Sequence, residues 1–425
     1  MSSDDNSFSR SGQKLALQWM ERTLNRPAKA SDIRASDRSD FARSVEKRRA
    51  QRLHSDALRH LRLYRHLIDR HVRKAPPRSL LAILLLALAE ASSSRHSAGA
   101  AIVDSWTGLA RVRGGKKSAG FANAVLRKLL PEIEKVQSGR SDLPIGILFS
   151  HPDWLVERWT RQWGAADCLR LLRWNQQMAP TFAEIAPTFA ADPGGENLLP
   201  SRWPGFFRVR SFDPSIHRGL KDGSLTIRDP ATRIATSAVL RSRPETVLDL
   251  CASPGGKSRG MLSTARPPSK LIAVDVPDRM NRLRENLEPW RDRVTLHEAD
   301  LQTGEGFPPE WSAAFEAVLL DTPCSNTGVL RRKPDVKWRI QPEDLQKLPE
   351  IQRGLLDRAA TFVRPGGSLV YSTCSLEEEE NAGVIRNFLK SAAGRSFVLR
   401  SGIHALPFKT AHDGAGVFRL LRSKS

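Results

Sequence analysis

The sequence predicts two folds in succession: an all-helical N-terminal domain, then an α/β domain built on a largely parallel, doubly wound sheet. From residue 14 to about residue 136, apolar side chains recur at three- and four-residue spacing, which is typical of amphipathic helices. From Thr246 onward, short apolar runs alternate with helical patterns, as strands and helices do around a parallel sheet. The 425 residues suffice for two or three domains, and 40% of them are hydrophobic, enough for ordinary buried cores.

Five helical segments make up the predicted N-terminal domain, to which we assign residues 1–140. Its most apolar stretch, residues 80–89, stops at Glu90. Because a membrane-spanning helix needs roughly 20 apolar residues, this stretch is interpreted as a buried core helix. Residues 141–232 begin with two amphipathic patterns and continue with short apolar runs, so we expect a linking subdomain there. The α/β domain takes residues 233–425.

Positive charge is concentrated in the helical part. The formal net charge is +21, and the first 150 residues account for +14 of it. A field of this sign attracts polyanions and indicates a nucleic-acid partner. On charge alone, the alternative is a basic helical domain that binds nothing in particular. A membrane surface fits less well, because the basic residues do not lie opposite one apolar stripe.

The chain has four cysteines, Cys168, Cys251, Cys324 and Cys374, and none lies in a C-x-x-C pair. This spacing argues against zinc, iron–sulfur and thioredoxin-type sites, and we expect no metal. The N-terminal residues include acids and lack the apolar segment of a secretory signal, so we expect a cytoplasmic protein with reduced thiols. Each thiol is then either an inert core group or a nucleophile.

The first strand of the α/β domain leads into a glycine-containing turn, LDLCASPGGKS at residues 248–258. Gly255 and Gly256 let the backbone approach a ligand closely and expose amide groups where a helix begins. A phosphate loop would need glycine at the position of Cys251, which disfavours an enzyme driven by nucleoside triphosphates.

Acidic residues end the next two strands. Asp275 is placed to accept hydrogen bonds from a ribose diol, as the acidic residue of nucleoside-binding folds does. Asp300 is placed to bind an exocyclic adenine amino group, and together the two acids suggest an adenosyl ligand. An NAD-dependent dehydrogenase is disfavoured, because the turn lacks the G-x-G-x-x-G spacing and no hydride-transfer partner is evident.

Two further strands end in cysteine-containing turns. DTPCSNTG begins at Asp321, and STCS, followed by four glutamates and Asn381, contains Cys374. Since the carboxyl ends of parallel strands share one edge of the sheet, Cys324 and Cys374 are expected beside the same cleft. Two unrelated small core residues are the alternative interpretation of this pair.

The motifs LDLCASPGGKS, DTPCSNTG and YSTCSLEEEEN resemble those of the Sun/RsmB family of S-adenosylmethionine-dependent RNA cytosine-5 methyltransferases. The resemblance implies a Rossmann-like class I methyltransferase domain. The helical segment from Arg95 to Leu130 is similar to the NusB-like RNA-binding domain of the bacterial 16S rRNA type, and SHPDWLVERWTRQWG to the segment after it. The chain departs from the family pattern at Pro230, where an acidic residue is common, and in the C-terminal HDGAGVFRLLRSK.

The resemblance implies roles for individual residues. Cys374 is the implied nucleophile, Cys324 assists proton removal and enzyme release, and Asp321 lies near cytosine N3 as a carboxyl group in a dry pocket. Lys257 is a candidate source of a positive field for Cys374, and capping of the turn or contact with RNA are its alternative roles. The implied binding site for S-adenosylmethionine consists of Cys251, Ala252, Ser253, Pro254, Gly255, Gly256, Lys257, Asp275, Arg279, Asp300 and Asp321.

The resemblance implies an enzyme that methylates C5 of a cytosine in RNA, with 16S ribosomal RNA favoured because of the NusB-like domain. The same chemistry on transfer RNA is the nearest alternative. A non-catalytic RNA-binding ribosome-assembly factor is another, although such a factor has no need of two thiols at strand ends. We expect a monomer that binds no membrane. After the Cys324 turn, a basic run is expected to hold phosphates or to form a solvated loop: Arg331, Arg332, Lys333 and Lys337.

Overall fold

The computed structural model describes residues 3–26, 28–36, 45–93, 99–186 and 196–424, with side chains from residue 11 onward. Arg95, where the NusB-like resemblance begins, lies outside these ranges, as do the first two residues used to argue against a signal. The chain forms two compact units. The first consists of Met1–Gln177 and Leu330–Ile340, and the second of Met178–Val329 and Gln341–Ser425. The predicted boundaries at residues 140 and 232 stay a prediction.

The helices are α1 (Ser3–Asn25), α2 (Ala30–Ala35), α3 (Val45–Arg59), α4 (Leu61–Asp69), α5 (Arg78–Ser93), α6 (Gly99–Gln137), α7 (Ile145–Leu148), α8 (Asp153–Gln176), α9 (Pro214–Asp222), α10 (Thr232–Leu240), α11 (Gly256–Leu262), α12 (Pro277–Leu287), α13 (Val336–Arg339), α14 (Asp344–Thr361), α15 (Val384–Lys390) and α16 (Pro407–Thr410). The first unit contains α1 to α8 and α13, and the second contains the rest.

The apolar run in α5 is the centre of the helical unit, as the sequence predicts. Its side chains from Ala82 to Ala89 are fully buried. Glu90, which ends the run, is buried as well. Its carboxylate has partners inside the core: Trp106 Nε1 donates to it over 2.7 Å and Gln13 Nε2 over 2.8 Å. A buried charged group is tolerated only where such hydrogen bonds replace those to water.

The strands are β1 (Phe182–Ile185), β2 (Leu198–Pro200), β3 (Phe206–Val209), β4 (Leu225–Ile227), β5 (Thr246–Leu250), β6 (Lys270–Asp275), β7 (Val294–Glu298), β8 (Phe315–Asp321), β9 (Val363–Thr373), β10 (Phe397–Ala405) and β11 (Ala415–Arg422). The first four form an antiparallel sheet in the order β2-β3-β1-β4.

The large sheet has seven strands in the order β10-β11-β9-β8-β5-β6-β7. Strands β5 to β9 are mutually parallel, and β10 and β11 are added antiparallel at one side. Apolar cores cover both faces, so β5 and β8 are buried along almost their whole length and are rich in aliphatic residues. The strand order reverses at β5, and in such sheets ligands bind beyond the carboxyl ends at the point of reversal. The predicted α/β doubly wound fold after a helical domain is confirmed.

None of the described helices is both long and apolar enough to cross a membrane.

Candidate active site

The glycine-containing turn lies between the ends of β5 and α11, at the point where the sheet order reverses. Ser253 N donates to Asp275 Oδ2 over 2.8 Å, which ties the turn to the end of β6. Gly255 has φ +94°, a conformation that an L-amino acid rarely adopts, and an added Cβ would lie 3.2 Å from Leu283 on α12. Glycine is therefore needed at position 255 for both backbone conformation and packing.

The structure gathers the predicted cofactor residues at one edge of the sheet. Asp275 is buried, and its other carboxylate oxygen accepts the N–H of Val276 over 2.9 Å. Arg279 Nη1 lies 3.9 Å from Asp275 Oδ1 with half of its side chain exposed, so the cation faces the same region. Asp300 follows β7 and accepts the N–H of Gln302 over 2.7 Å, which closes the turn at that strand end.

A further acid at this edge is Asp249, which belongs to the LDLCASPGGKS motif and has no role among those expected from the sequence. The residue lies in β5, fully buried, and Ser258 Oγ donates to its Oδ2. Its Oδ1 is buried and has no hydrogen-bond partner among the described residues. Buried polar atoms are normally hydrogen-bonded, so Asp249 Oδ1 has acceptor capacity left beside the glycine-containing turn.

Burial raises the pKa of Asp249 to about 7. In the unfolded chain an aspartate titrates near pH ~4, so between that pH and neutrality the folded protein retains a proton that the unfolded chain releases. The contribution of Asp249 to the free energy of unfolding therefore falls as the pH rises through this window. One pKa unit corresponds to about 1.4 kcal/mol, so we expect the contribution of Asp249 to the free energy of unfolding to fall by a few kcal/mol across this window.

Asp249→Asn should remove this pH dependence, as measured by melting temperatures from about pH 5 to about pH 8. Asp278→Asn, at an exposed position, is the control. Parallel curves for wild type and Asp249→Asn would contradict the assignment.

Lys257 and Asp321 form an ion pair at the carboxyl ends of β5 and β8. Lys257 Nζ lies 2.5 Å from Asp321 Oδ2. Burial alone would lower the pKa of Lys257, but Asp321 and, to a smaller extent, Cys374 outweigh it and raise that pKa. The Asp321 side chain is 32% exposed and faces a cation, so it does not lie in the dry pocket expected from the sequence.

The two cysteine turns meet beyond β8 and β9. Cys324 Sγ and Cys374 Sγ are 3.3 Å apart, and Cys374 N donates to Cys324 Sγ over 3.4 Å. Asn326 contacts both: its amide donates to the Cys324 carbonyl over 2.6 Å, and its Oδ1 accepts from Cys374 Sγ over 3.3 Å. The hydrogen bond to Cys374, followed by burial, raises the pKa of the Cys324 thiol well above its usual value. The two thiols are therefore in different environments although they touch.

Several residues that hold these turns were not identified from the sequence. Gly328 N donates to the Cys374 carbonyl over 2.9 Å, and Gly414 N donates to the Gly328 carbonyl over 2.9 Å. A Cβ on Gly328 would lie 2.7 Å from that Cys374 oxygen, so only glycine fits. Asp229 Oδ1 accepts the N–H of Asp413 over 3.0 Å, joining the segment before Pro230 to the C-terminal HDG sequence. Both regions were noted only as departures from the family pattern.

The basic run after Cys324 belongs to the helical unit. Arg331 and Lys337 are buried there, so both predicted roles, phosphate binding and a solvated loop, are wrong for these two. Lys337 Nζ donates to the Arg59 carbonyl over 2.7 Å, and Trp338 Nε1 donates to the Leu58 carbonyl over 2.6 Å. These carbonyls belong to the last turn of α3, where a helix leaves its carbonyl groups unpaired, so the buried donors satisfy them.

Because Lys337 is buried, Lys337→Met should not alter the salt dependence of RNA binding. Each phosphate contact contributes about 0.7 to 0.9 to the slope of log K against log salt concentration. Lys333 is exposed, and the same substitution there is the matched comparison. Filter binding at KCl concentrations from about 50 mM to about 300 mM measures both slopes. A drop of about one in the slope of Lys337→Met would contradict its burial.

Among the residues that the structure describes, no three His, Cys, Asp or Glu side chains lie close enough together to hold a metal ion.

Comparison with known families gives matches to both parts of the chain. The model described as 16S rRNA methyltransferase RsmB/F matches residues 238–404, and the NusB family model matches residues 12–131. The ribosomal RNA small subunit methyltransferase B of Cronobacter sakazakii is 32% identical over 71% of this chain and 73% of the relative. The protein of that name from Vibrio cholerae is 30% identical over 78% and 79%.

The chain belongs to the RsmB/F family of 16S rRNA methyltransferases. Solved structures show the same fold. The crystal structure of PH0851 has a TM-score of 0.74 at 21% identity and covers 97% of this chain and 98% of its own. The structure of NSun6 from Pyrococcus horikoshii with SFG has a TM-score of 0.53 at 17% identity, covering 64% of this chain and 98% of its own.

Membership of the RsmB/F family confirms the predicted fold class and the predicted cofactor, S-adenosylmethionine. The chain is therefore an S-adenosylmethionine-dependent RNA methyltransferase with a NusB-type helical domain. The residues at the sheet edge fit this cofactor, because the glycine-containing turn allows a close backbone approach and Asp249 offers an unpaired buried acceptor.

Proposed function

We propose that this protein methylates C5 of a cytosine in 16S ribosomal RNA through a covalent bond between Cys374 and C6 of the base. The observation that supports this most strongly is the pair of thiols of Cys324 and Cys374, 3.3 Å apart at neighbouring strand ends beside Lys257. A protein that only binds RNA has no use for two touching thiols in distinct electrostatic environments. The names of the curated relatives favour small-subunit ribosomal RNA as the substrate.

The cofactor is assigned to the edge formed by β5, β6 and β7. Residues 251–257 supply backbone groups, and Asp275 and Asp300 supply acceptors for the nucleoside. Arg279 lies at the outer side, half exposed. When bound, S-adenosylmethionine supplies an electrophilic methyl group on a sulfonium.

Cytosine C5 needs activation before it can accept that methyl group, because it is a poor nucleophile in the free base. Cys374 Sγ adds to C6, and the electron density moved onto C5 makes that carbon enamine-like. The thiolate is the reactive form of a cysteine, and a nearby ammonium stabilises it. Lys257, whose interaction with Cys374 contributes to its own raised pKa, is the cation in this position.

Release requires loss of the proton from C5 and of the Cys374–C6 bond. Cys324 is assigned to this step, with its thiol 3.3 Å from that of Cys374. The thiol hydrogen bond and burial raise the pKa of Cys324, which keeps it protonated while Cys374 reacts. Once Cys374 is bonded to C6, it no longer contributes the hydrogen bond and charge that raise the pKa of Cys324. Cys324 then releases its proton to solvent, and its thiolate takes the proton from C5. The C5–H electron pair re-forms the C5–C6 double bond, the C6–S bond breaks, and Cys374 leaves as a thiolate.

Asp321 is assigned to the base edge at N3, where attack on C6 increases the electron density. A proton or hydrogen bond at N3 stabilises that density. Asp321 receives its hydrogen bond from Lys257, so the pair supplies both a carboxyl group and a nearby proton source. The target cytosine has to leave any helix or stack to reach this edge, as for other enzymes that act on ring atoms.

The experiment that tests this proposal is incubation with labelled S-adenosylmethionine and unmodified 16S rRNA, followed by nucleoside analysis. Unmodified transfer RNA is tested in parallel. We expect 5-methylcytidine in the 16S rRNA only. The same nucleoside in transfer RNA alone would overturn the substrate, and a different methylated nucleoside would overturn the chemistry. If the cofactor binds but neither RNA is methylated, the proposal is rejected in favour of a non-catalytic RNA-binding factor.

A further inference from the structure

Four consecutive glutamates, residues 377–380, follow the Cys374 turn, and two of them, Glu377 and Glu380, are buried. Glu378 is exposed and pairs with Arg386, whereas Glu380 is completely buried. Glu380 lies in a wide, π-helical turn that precedes α15. Such turns insert an extra residue into a helix and are frequent at functional sites.

The Glu380 carboxylate contacts both cysteine turns. Its Oε2 accepts the N–H of Ser325, the residue after Cys324, over 2.9 Å. Its Oε1 accepts the hydroxyl of Ser375, the residue after Cys374, over 2.9 Å. One side chain therefore bridges the two turns through the neighbours of the two thiols.

A second layer fixes Glu380 itself. Gln352 on α14 donates to Glu380 Oε2 over 2.9 Å and to the Pro323 carbonyl over 3.0 Å. The hydroxyl of Tyr371, in the strand that ends before Cys374, donates to the Glu380 carbonyl over 2.7 Å. Ser325 and Ser375 also contact each other, with their hydroxyl oxygens 3.0 Å apart. The carboxylate is thus held from the helix side and from the strand side.

We propose that Glu380 is a positioning residue that sets the geometry of Cys324 relative to Cys374 by bridging Ser325 and Ser375. The inference rests on the proposed function, because the bridge is argued to position the two thiols for the covalent step and for release. Loss of the bridge removes the carboxylate link between the two turns and leaves the Gly328–Cys374 and Ser325–Ser375 contacts to hold them less rigidly. A displacement of about 1 Å at a reacting centre lowers rates by about 100-fold.

The carboxylate also affects the thiol chemistry. After the hydrogen bond to Cys374, burial and the charge of Cys374, the negative charge of Glu380 contributes to the raised pKa of Cys324. This favours a protonated Cys324 beside a reactive Cys374, as the proposed order of steps requires. Glu380 touches neither thiol in the hydrogen-bond network, so its action is indirect.

The test compares Glu380→Ala, Glu380→Gln and the exposed control Glu378→Ala in the full chain. Three quantities are measured with unmodified 16S rRNA: turnover, the fraction of protein covalently attached to RNA on denaturing gels, and the dissociation constant of S-adenosylmethionine. For Glu380→Ala we expect turnover to fall about 100-fold, the covalent fraction per turnover to rise several-fold, and cofactor affinity to stay within about twofold.

Glu380→Gln keeps an acceptor oxygen for Ser325 and Gln352, and Ser375 can accept from its amide. We therefore expect Glu380→Gln to retain turnover within about tenfold of wild type. If Glu380 acted only through its negative charge, this neutral variant would lose as much turnover as Glu380→Ala. If Glu380→Ala fails to fold, Glu380→Gln still tests the bridging role. A Glu380→Gln loss as large as that expected for alanine would overturn the bridging role.

Two further outcomes would overturn the inference while leaving the proposed function intact. One is Glu380→Ala turnover equal to that of Glu378→Ala. The other is a parallel loss of turnover, cofactor affinity and covalent fraction, which indicates a merely structural role. Failure of the proposed function is distinguishable, because wild type would then form no covalent complex and no 5-methylcytidine, and the inference would fall with it.

Discussion

Cys374→Ala is expected to lower methyl transfer to 16S rRNA by at least about 1,000-fold and to abolish the covalent protein–RNA complex. The reason is that the alanine variant has no group able to add to cytosine C6, and nucleophilic activation of C5 is then lost altogether. Methyl transfer is measured with labelled S-adenosylmethionine, and the covalent complex on denaturing gels. Cofactor affinity should stay within a fewfold, since Cys374 lies at the end of β9, outside the residues assigned to the cofactor.

Cys324→Ala is expected to give a different defect, which makes the pair of variants decisive. It retains the nucleophile but lacks the neighbouring thiol that assists release, so the covalent complex should accumulate while turnover falls. Cys168→Ala is the control, because that thiol is buried in the helical unit and carries no assigned chemistry. The opposite pattern, with accumulation in Cys374→Ala and none in Cys324→Ala, would exchange the two roles. Full activity of Cys374→Ala would rule out the covalent mechanism.

The convergence of the chemical groups on one sheet edge was predictable from the sequence. Each of the residues concerned ends or follows an apolar run, and parallel strands present their carboxyl ends together. The position of Asp275, Asp321 and Cys374 at one edge of the sheet could therefore be predicted without knowledge of their side-chain contacts. The glycine-containing turn was predictable for a similar reason, since a left-handed backbone at Gly255 requires a residue without Cβ.

The residues that hold the thiols were not predictable, because they depend on contacts between distant parts of the chain. Four adjacent glutamates have identical chemistry, and it is the chain direction after β9 that buries Glu377 and Glu380 and exposes the two between them. Gly328 is required by its approach to the Cys374 carbonyl, which lies 46 residues away along the chain. A single sequence contains no sign of either contact.

The basic segment after Cys324 shows a different limit. Charge suggested phosphates, yet the apolar residues interspersed among the cations allow the segment to pack into the helical unit. Long cationic side chains can bury their aliphatic stems wherever their polar ends find acceptors. For Lys337 the acceptor is the end of α3, 278 residues earlier in the chain. The composition of a segment gives its charge. Where the segment packs depends on unpaired carbonyl groups in distant parts of the chain.

Asp321→Asn and Lys257→Met are expected to lower methyl transfer by about 100-fold or more each, the range typical of general acid–base groups. Asp321→Asn removes a titratable group at the proposed N3 contact and also the partner of Lys257. Lys257→Met removes the proton source for Asp321 and the cation beside Cys374. Asp278→Asn, on an exposed turn of α12, is the matched control and should change turnover less than about twofold.

The double variant separates the two roles of Lys257. Among the groups that raise the pKa of Lys257, Asp321 contributes most and Cys374 less, so we expect Lys257 to act mainly through Asp321. Residues that act as one unit give losses far smaller than the product of the single effects. The double variant should therefore be no more than about tenfold slower than the worse single variant. Losses that multiply would instead assign Lys257 to the Cys374 thiolate, and the covalent complex would then form more slowly in Lys257→Met than in Asp321→Asn.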